Sequence, residues 1–415
     1  MAGPEPKPSE SPDVARGGSP DLPRFACAAP ERGGHLSLAE ISADFSAREA
    51  HLAQRARAAG LSRREFLQVL TAVAAAAGAA TLRAAESTPP PSTPPPSTPP
   101  PSSPPRERRV TPKYPAAPAA GSIPAAPAAG SNPAPAGRSR VVVVTHPEVI
   151  LKEYRVNPPV IRQMLDRALM ELTGANTETE AWKQIGRADD FVAVKHNSIG
   201  RPTLHSHTEI NDAVAAQLAA AAQVKPDRIL VVDRMLPPPY NELSDPFTLP
   251  SRKLETRLRR LYTDQATAIV NVSVLKAHFS EGLSAAMKNH LGSINNPAAY
   301  HGWEPDRMPL SVPELSALPP LRTKTRLVII DAIRPLFAGG PVDDPQYRWD
   351  YRGLIVSTDP VAASAVGLRI LEAKRSDVRK DWPMTAARLM LAHAQEIGLG
   401  NAAPDRIDLV EAKMG

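Results

Sequence analysis

Cysteine is almost absent from this chain of 415 residues, whose one thiol is Cys27. A single cysteine cannot build a disulfide framework. It also cannot supply the set of thiolates that holds a structural zinc ion or an iron–sulfur cluster. The sequence therefore excludes a cysteine-ligated iron–sulfur cluster and leaves the identity of any other cofactor open.

Long apolar runs and a basic folded region are missing as well. After Arg83 no stretch approaches the roughly 20 apolar residues of a transmembrane helix, which excludes a multispan membrane protein. Of the net charge of +6, residues 1–140 carry +5 and residues 141–415 carry +1, so no nucleic-acid partner is expected. One basic cluster predicts a solvated face of a helix at about 250–262 more readily than an anion site: Arg252, Lys253, Arg257, Arg259 and Arg260.

Proline, by contrast, is abundant and unevenly distributed. Of 47 prolines, 25 lie in residues 1–140 and 22 in residues 141–415. Because proline removes a backbone donor and interrupts helices and central strands, the first third cannot form a continuous packed domain. The remainder is long enough for a substantial core. We therefore expect one globular domain at residues 140–415, preceded by a disordered leader.

The leader divides into three predicted segments. Residues 1–61 are a disordered extension, residues 62–86 an export signal, and residues 87–139 a linker rich in Pro, Ala and Ser. In the signal, Arg63 and Arg64 precede an uncharged run from Phe66 to Leu82. Consecutive arginines before a weakly apolar run resemble a twin-arginine signal. The alternative is a short alanine-rich amphipathic helix in the cytoplasm.

The signal predicts export by the twin-arginine machinery to the periplasm or another extracytoplasmic compartment. Uncleaved, it would tether the protein to the membrane, which is the only membrane contact we expect. The linker opens with three Ser-Thr-Pro-Pro-Pro repeats over residues 87–101. This composition favours extended polyproline II chain and predicts a spacer.

Strand and helix signals alternate after residue 140. Apolar or β-branched runs predict strands at about 141–144, 191–195, 229–233, 268–272, 327–331 and 354–356. Periodicity and capping residues predict helices at about 158–172, from the Ser206/Glu209 capping box to 218, and at 250–262, 281–291, 360–371 and 384–397. The alternation predicts an α/β fold with a largely parallel sheet flanked by helices.

Ligands of such sheets bind beyond the carboxyl ends of the strands, so polar residues that directly follow strands are informative. The predicted strands are followed by these: Lys195, His196, Asn197, Asp233, Arg234, Lys276, His278, Asp331, Thr358 and Asp359.

The segment at 274–294, VLKAHFSEGLSAAMKNHLGSI, resembles the family called domain of unknown function 362. The family typically has a Leu-Lys-Thr-His segment, a glycine several residues on, and a helix that carries Lys-Asn and ends at a glycine. The matching residues in this chain are Lys276, His278, Gly282, Lys288, Asn289 and Gly292, with Ala277 in place of the Thr. Further similar stretches are Val194–Asn197, with His196 in place of the family's Pro, Ile330–Ile333 followed by Gly340-Pro341, and Ser357–Ala362 with Asp359-Pro360. The resemblance covers most of residues 141–375 and implies little chemistry. Where the family often has a second Asp, this chain has Ser364, which weakens a paired-carboxylate mechanism.

These residues predict a site for an anion. Lys276, His278 and Lys288 are the candidate catalytic centre, because they offer charge, hydrogen bonds and an acid–base group. Around them we expect ligand-binding roles for Lys195, Asn197, Asn289, Asp331 and Asp359. The alternative is structural: the first three residues would tie a loop to a helix, and Asp359 would cap the helix that starts at Pro360.

Two further functions stay open at this stage. His205 and His207, with Asp331 or Asp359, are candidates for a metal site, although His207 stands beside the predicted helix start and no strict ligand spacing supports the metal. A non-catalytic exported binding or scaffold module is the other alternative. The sequence thus favours an exported protein that binds or acts on a small anionic ligand, and it leaves open whether the protein is an enzyme.

Overall fold

The structure, a computed structural model, describes residues 137–278, 282–300, 307–341, 343–380 and 384–415. The predicted leader, with Arg63 and Arg64, lies outside the described residues, and its three segments stay predictions. Within the described ranges, no helix is both long and apolar enough to cross a membrane.

Ten strands and eight α-helices are found in the described residues. The strands are β1 (Ser139–Thr145), β2 (Val192–Lys195), β3 (Ile229–Val232), β4 (Leu243–Leu249), β5 (Arg252–Arg259), β6 (Ala268–His278), β7 (Gly282–Ser284), β8 (Thr325–Leu336), β9 (Gly353–Ser357) and β10 (Ile407–Lys413). The helices are α1 (Pro158–Thr173), α2 (Glu178–Ile185), α3 (Thr208–Ala220), α4 (Ala286–Asn289), α5 (Arg307–Ser316), α6 (Pro319–Lys324), α7 (Pro360–Asp377) and α8 (Thr385–Glu396).

One mixed, mostly parallel sheet organises these elements, which confirms the predicted fold class. Its strand order is β10-β1-β9-β8-β6-β2-β3, with β7 paired to β6. Along that path β9 runs antiparallel to both of its neighbours, whereas the other pairs are parallel. The carboxyl ends of the remaining six strands therefore share one edge of the sheet, and the carboxyl end of β9 lies at the opposite edge.

Helices cover both faces of the sheet. Successive side chains of a strand point to opposite sides, so each buried strand contributes apolar side chains to both layers. Val142 and Val144 of β1 pack in one apolar layer with α1, α2 and α3. Val141 and Val143 pack in the other layer with α4, α5, α7 and α8. All four valines are buried, and full burial of such a side chain contributes about 1.5–3 kcal/mol.

The predicted helix at 250–262 is wrong, because most of this segment forms β5, which pairs antiparallel with β4. Burial alternates along it: Thr256 and Leu258 are buried, whereas Arg257 and Arg259 are partly exposed. This period of two is that of a strand. The basic side chains brace the hairpin, since Arg257 Nη1 donates to Ser244 O at 3.1 Å and Arg259 Nη1 donates to Asn241 O at 2.8 Å.

The predicted helix at 281–291 is wrong in part. Gly282 has a φ of +74°, a left-handed conformation that interrupts a helix and that glycine adopts readily. The chain then forms β7 against the end of β6 before turning into the short helix α4 and a 3₁₀ turn at His290–Ser293. This arrangement keeps Lys288 and Asn289 on a helix, as predicted, but shortens that helix to one turn.

Helix α7 approaches the sheet closely at Gly367. A Cβ placed there would lie 2.8 Å from Leu275 Cδ1 on β6 and 3.7 Å from Ile355 Cδ1 on β9. Gly367→Val is therefore expected to lower the free energy of unfolding by about 1–3 kcal/mol through overpacking. Urea unfolding measures the change. The control Ser376→Val, at an exposed position of the same helix, is expected to shift it by no more than about 0.5 kcal/mol. Equal effects of both variants would contradict this packing.

Candidate functional site

The carboxyl edge of the sheet carries a cluster of buried polar side chains. Lys195 ends β2, Asp233 follows β3, and Lys276 lies near the end of β6. All three are at most 7% exposed. The loop from His196 to His207, which connects β2 to α3, passes over them and is called the β2–α3 loop below. A charged side chain in the interior needs ionic or hydrogen-bonding partners. The hydrogen bonds within this cluster therefore determine where its side chains lie.

Lys195 and Asp233 form an ion pair in the interior. Lys195 Nζ lies 2.6 Å from Asp233 Oδ1, and the lysine side chain is fully buried. Its ammonium also donates to His196 O at 2.7 Å and to Asn289 Oδ1 at 3.3 Å. Burial alone would raise the pKa of Asp233, but the neighbouring ammonium outweighs burial and holds that pKa well below its usual range. The positive charge of Lys195 is thus neutralised by the carboxylate of Asp233.

The same carboxylate fixes the start of the β2–α3 loop. Asp233 Oδ2 accepts a hydrogen bond from the backbone N of Ser198 at 2.9 Å and another from the Ser198 hydroxyl. Asn197 N donates to Ser206 Oγ at 2.9 Å, and Ser206 N donates to Asn197 O at 3.0 Å. The loop is therefore closed on itself. The predicted Ser206/Glu209 capping box does not form, because Ser206 bonds within the loop and His207 is the N-cap of α3.

Asn289 connects this cluster to the middle of the sheet. Its Nδ2 lies 3.1 Å from Lys195 O and 2.8 Å from Asn271 Oδ1 on β6. Asn271 Nδ2 in turn lies 3.2 Å from Nε2 of His290, whose pKa burial lowers to about 3. The neutral ring of His290 and two amides thus continue the polar network, and Asn289 acts as its structural bridge.

Lys276 differs from Lys195 in its partners. Its Nζ donates to Ile199 O at 2.9 Å and lies 3.5 Å from Asn197 Oδ1, both of which are neutral acceptors. Among the described residues no carboxylate lies within ion-pair distance of it. Burial lowers the pKa of Lys276 to about 8, although Asp233 opposes this change. At neutral pH the site therefore contains a buried ammonium for which the described residues supply no direct counter-ion.

Lys288 and His278 lie close to Lys276. His278 is two residues further on β6 and 3% exposed, on the same strand face as Lys276. Lys288 is half-buried on α4. Burial, followed by the charge of Lys276, holds the pKa of Lys288 well below its usual range. The structure thus brings the three predicted central residues together at one end of β6.

Arg348 adds a guanidinium that the sequence did not indicate. Its Nη1 donates to Thr203 O of the β2–α3 loop at 2.5 Å, and its Nε donates to Arg334 O at 3.0 Å. The Oδ2 atom of Asp343 lies 3.4 Å from Arg348 Nη1. The guanidinium is near enough to lower the pKa of Lys276 and of His207.

His207 is held by Asp331, a carboxylate that is 1% exposed on β8. Asp331 Oδ2 lies 2.6 Å from His207 Nδ1 and 2.9 Å from the backbone N of the same residue. Burial lowers the pKa of His207, but Asp331 outweighs burial and raises it above 6.5. In turn, His207 holds the pKa of Asp331 below its usual range against the effect of burial.

The metal hypothesis gains no support from this geometry. The two ring nitrogens of His205 lie against backbone carbonyls, Nδ1 at 2.7 Å from Ser206 O and Nε2 at 3.0 Å from Pro202 O. No group of three or more histidine, cysteine or acidic side chains is arranged to hold a metal ion in the part of the chain that the structure describes.

Asp359 is not part of this cluster. It follows β9, the reversed strand, and so lies at the opposite edge of the sheet, against Ser139 at the start of β1. There its Oδ1 caps α7 by accepting from the backbone N of Val361 at 2.8 Å and of Ala362 at 3.0 Å. A cleft of about 440 Å³ opens at that edge beside Arg322 and Arg326, and its lining also includes His290.

The comparisons with known proteins agree with the resemblance seen in the sequence. Residues 262–369 match the model of the family described as Domain of unknown function (DUF362). The matched stretch contains Lys276, Lys288 and Asp331, whereas the β2–α3 loop and Lys195 precede it. No curated protein and no solved structure matches the chain. The DUF362 match therefore supports the family resemblance over fewer than half of the residues and brings no reaction with it.

Breaking the Lys195–Asp233 pair is expected to destabilise the protein strongly. Asp233→Asn leaves a fully buried ammonium without its counter-ion, which should lower the free energy of unfolding by about 3–5 kcal/mol at neutral pH. The depressed pKa of Asp233 gives the sign: its stabilisation is present above the unfolded pKa and is lost only as pH falls through the lower folded pKa.

Chemical unfolding of the Asp233→Asn variant measures the loss. The matched control is Glu372→Gln, which removes a surface ion pair in which Glu372 Oε1 lies 2.8 Å from Arg388 Nη2. Because that pair is largely solvated, the control should lose less than about 1 kcal/mol. A loss at Asp233 no larger than that of the control would contradict a buried pair.

Proposed function

We propose that the protein binds a small anionic ligand at the carboxyl edge of the sheet, with Lys276 as the central contact. The observation that carries this proposal is the difference between two buried lysines. Lys195 has a carboxylate at 2.6 Å, whereas the acceptors of Lys276 within hydrogen-bond range are all neutral among the described residues. Burying an ammonium is costly unless an opposite charge compensates it. A bound anion would supply that charge.

The surrounding groups favour an oxyanion as the ligand. Lys288 and Arg348 are both close enough to Lys276 for the positive charges to act on one another, as the pKa values of both lysines indicate. Such mutual repulsion is relieved when a negative group binds between cations. Lysine supplies point-like donors and arginine a planar pair of N–H groups, a combination that suits phosphate or carboxylate oxygens.

Asp331 and Asp343 set a limit on the ligand's charge distribution. Asp343 already faces Arg348, and Asp331 faces His207, so both carboxylates have cationic or hydrogen-bonding partners. The excess positive character is thus centred on Lys276 rather than on the whole edge. A small anion suits this arrangement better than an extended polyanion.

The anion site predicts a specific effect of Lys276→Met. Charge-assisted hydrogen bonds contribute about 1.5–3 kcal/mol, so the variant should bind phosphate, sulfate or citrate about 10–100-fold more weakly than the wild type. Thermal denaturation with increasing concentrations of each anion measures this through the rise in Tm. Because the anion prefers the protonated amine, wild-type affinity should also fall as pH rises through about 8, the pKa of Lys276.

Lys324→Met is the matched control. Lys324 is also a buried lysine whose ammonium donates to two carbonyls, Tyr262 O at 2.9 Å and Thr263 O at 2.7 Å, and whose pKa is lowered to about 8. Its loss should reduce basal stability but leave the anion-dependent rise in Tm intact. If both variants keep the anion response, or if the wild type shows none, the proposed site is wrong.

The second part of the proposal is export through the twin-arginine machinery, which places this site outside the cytoplasm. It is supported by the sequence alone, by Arg63 and Arg64 before the uncharged run and by the proline-rich linker behind it. Replacing both residues in Arg63→Lys, Arg64→Lys should retain the protein in the cytoplasm of an exporting bacterial host. Fractionation followed by immunoblotting measures its distribution.

A matched pair of changes, Arg55→Lys with Arg57→Lys, alters two nearby arginines that are not consecutive and should leave export unchanged. Export of the Arg63/Arg64 double variant at the wild-type level would favour the cytoplasmic alternative instead.

A further inference from the structure

One histidine of the β2–α3 loop is oriented as an acid–base group. His207 Nδ1 lies 2.6 Å from Asp331 Oδ2, and the backbone N of His207 donates to the same oxygen at 2.9 Å. The other oxygen, Oδ1, accepts from Ile333 N at 3.1 Å. The carboxylate is therefore held at both oxygens, and it fixes the tautomer with the proton on Nδ1. This leaves Nε2 as the atom that takes up or releases a proton.

His205, two residues earlier, provides an internal contrast. Its ring centroid lies 6.1 Å from that of His207, but its two nitrogens are within 3.0 Å of backbone carbonyls. The Nε2 atom of His207 makes no hydrogen bond to the residues that the structure describes, and the side chain is 18% exposed. Of these two neighbouring rings, only that of His207 offers a nitrogen for exchange with a ligand.

The β2–α3 loop brings His207 to the same side of the sheet as the proposed anion contacts. Within this loop, Ile199 O accepts from Lys276 Nζ, Thr203 O accepts from Arg348 Nη1, and His207 ends the loop on Asp331. Arg348 lowers the pKa of both Lys276 and His207, so its guanidinium lies within electrostatic reach of both. The imidazole of His207 would therefore lie beside a ligand bound at Lys276 and Arg348.

We propose that His207 Nε2 hydrogen-bonds and exchanges a proton with the anion held at Lys276, and that Asp331 is its positioning residue. The inference rests on the proposed anion site and names the class of ligand: a small oxyanion with a titratable oxygen, such as a phosphate monoester or a polycarboxylate. In the step, the proton leaves Nε2 and joins a ligand oxygen. The imidazole becomes neutral, keeps its Nδ1–H on Asp331, and no bond between heavier atoms breaks.

Four groups facing the ring determine its proton affinity. Asp331 of β8 and Glu209 of α3 favour the imidazolium, whereas Arg348 disfavours it, and His205 is the neighbouring titratable ring in the loop. Burial also disfavours the charged form, but the net effect is a pKa above 6.5. The imidazolium form of His207 is therefore favoured more than that of an ordinary histidine, which suits Nε2–H as a donor to an anion.

Diethyl pyrocarbonate, which acylates neutral imidazole nitrogens, tests this with the full chain. The rate of modification at His207 and His205 is followed by peptide mass spectrometry across pH, with and without inorganic phosphate as the probe. We expect His207 to react faster than His205, with a midpoint above pH 6.5, and phosphate to slow His207 at least about 10-fold while leaving His205 unchanged. Asp331→Asn removes the carboxylate that raises the pKa and should move the midpoint to lower pH.

The outcomes separate this inference from the site on which it rests. If phosphate raises Tm in a Lys276-dependent way but leaves the rate at His207 unchanged, the acid–base role is overturned and the anion site stands. If phosphate changes neither Tm nor the rate, both are contradicted. Because protection is measured on the wild type, the test does not depend on whether Asp331→Asn folds.

Discussion

The buried ion pair between Lys195 and Asp233 is the interaction on which the carboxyl edge of the sheet depends. It joins the ends of two neighbouring parallel strands at 2.6 Å, and both of its members also hold backbone groups of the β2–α3 loop. Gly292 is part of the same constraint. A Cβ at this position would lie 2.8 Å from Lys195 Nζ and 3.1 Å from Asp233 Oδ1, so any other residue would push against the pair.

The loop held by this pair brings together the polar side chains of the candidate site. Strands β6 and β8 and the segment after β8 each send one polar side chain to it: Lys276, Asp331 and Arg348. A loop anchored at many points gives its ligands fixed positions, as a preorganised site requires. The division of charge follows from the same geometry. Lys195 is neutralised by Asp233, whereas no carboxylate of the described residues pairs with Lys276, which we propose is neutralised by a bound anion.

The sequence predicted the architecture well and the detailed contacts unevenly. Strong apolar runs identified six strands, and the position of Lys195 and Lys276 at strand ends placed them on one edge. The reversal of β9 could not be predicted, because strand direction depends on the length and path of the connections. Asp359 was therefore expected beside Lys276 although it lies at the opposite edge. Strand β10 was missed because polar residues interrupt its apolar ones and its place in the sheet comes from pairing with β1.

The misjudged details share one cause, which is that local patterns were outweighed by tertiary contacts. Ser206 has the spacing of a capping box, yet its hydroxyl is used to close the loop at Asn197. Asp233 followed a predicted strand, but its partner lies 38 residues away in sequence and appears only once the sheet is assembled. Arg348 lies outside every helix and strand, so neither periodicity nor a position at a strand end marked it as a candidate site residue. By contrast, Lys288 and Asn289 lie on a helix as predicted, because a single helical turn is enough to orient their side chains.

The location of a bound oxyanion is the most direct test of this account. Crystals soaked in selenate would reveal the anion by the anomalous scattering of selenium. We predict a peak within hydrogen-bonding distance of Lys276 Nζ, between that lysine and His207, and its absence in crystals of Lys276→Met. A selenate peak found only in the cleft beside Arg322 and Arg326, at the opposite edge of the sheet, would contradict the proposed site.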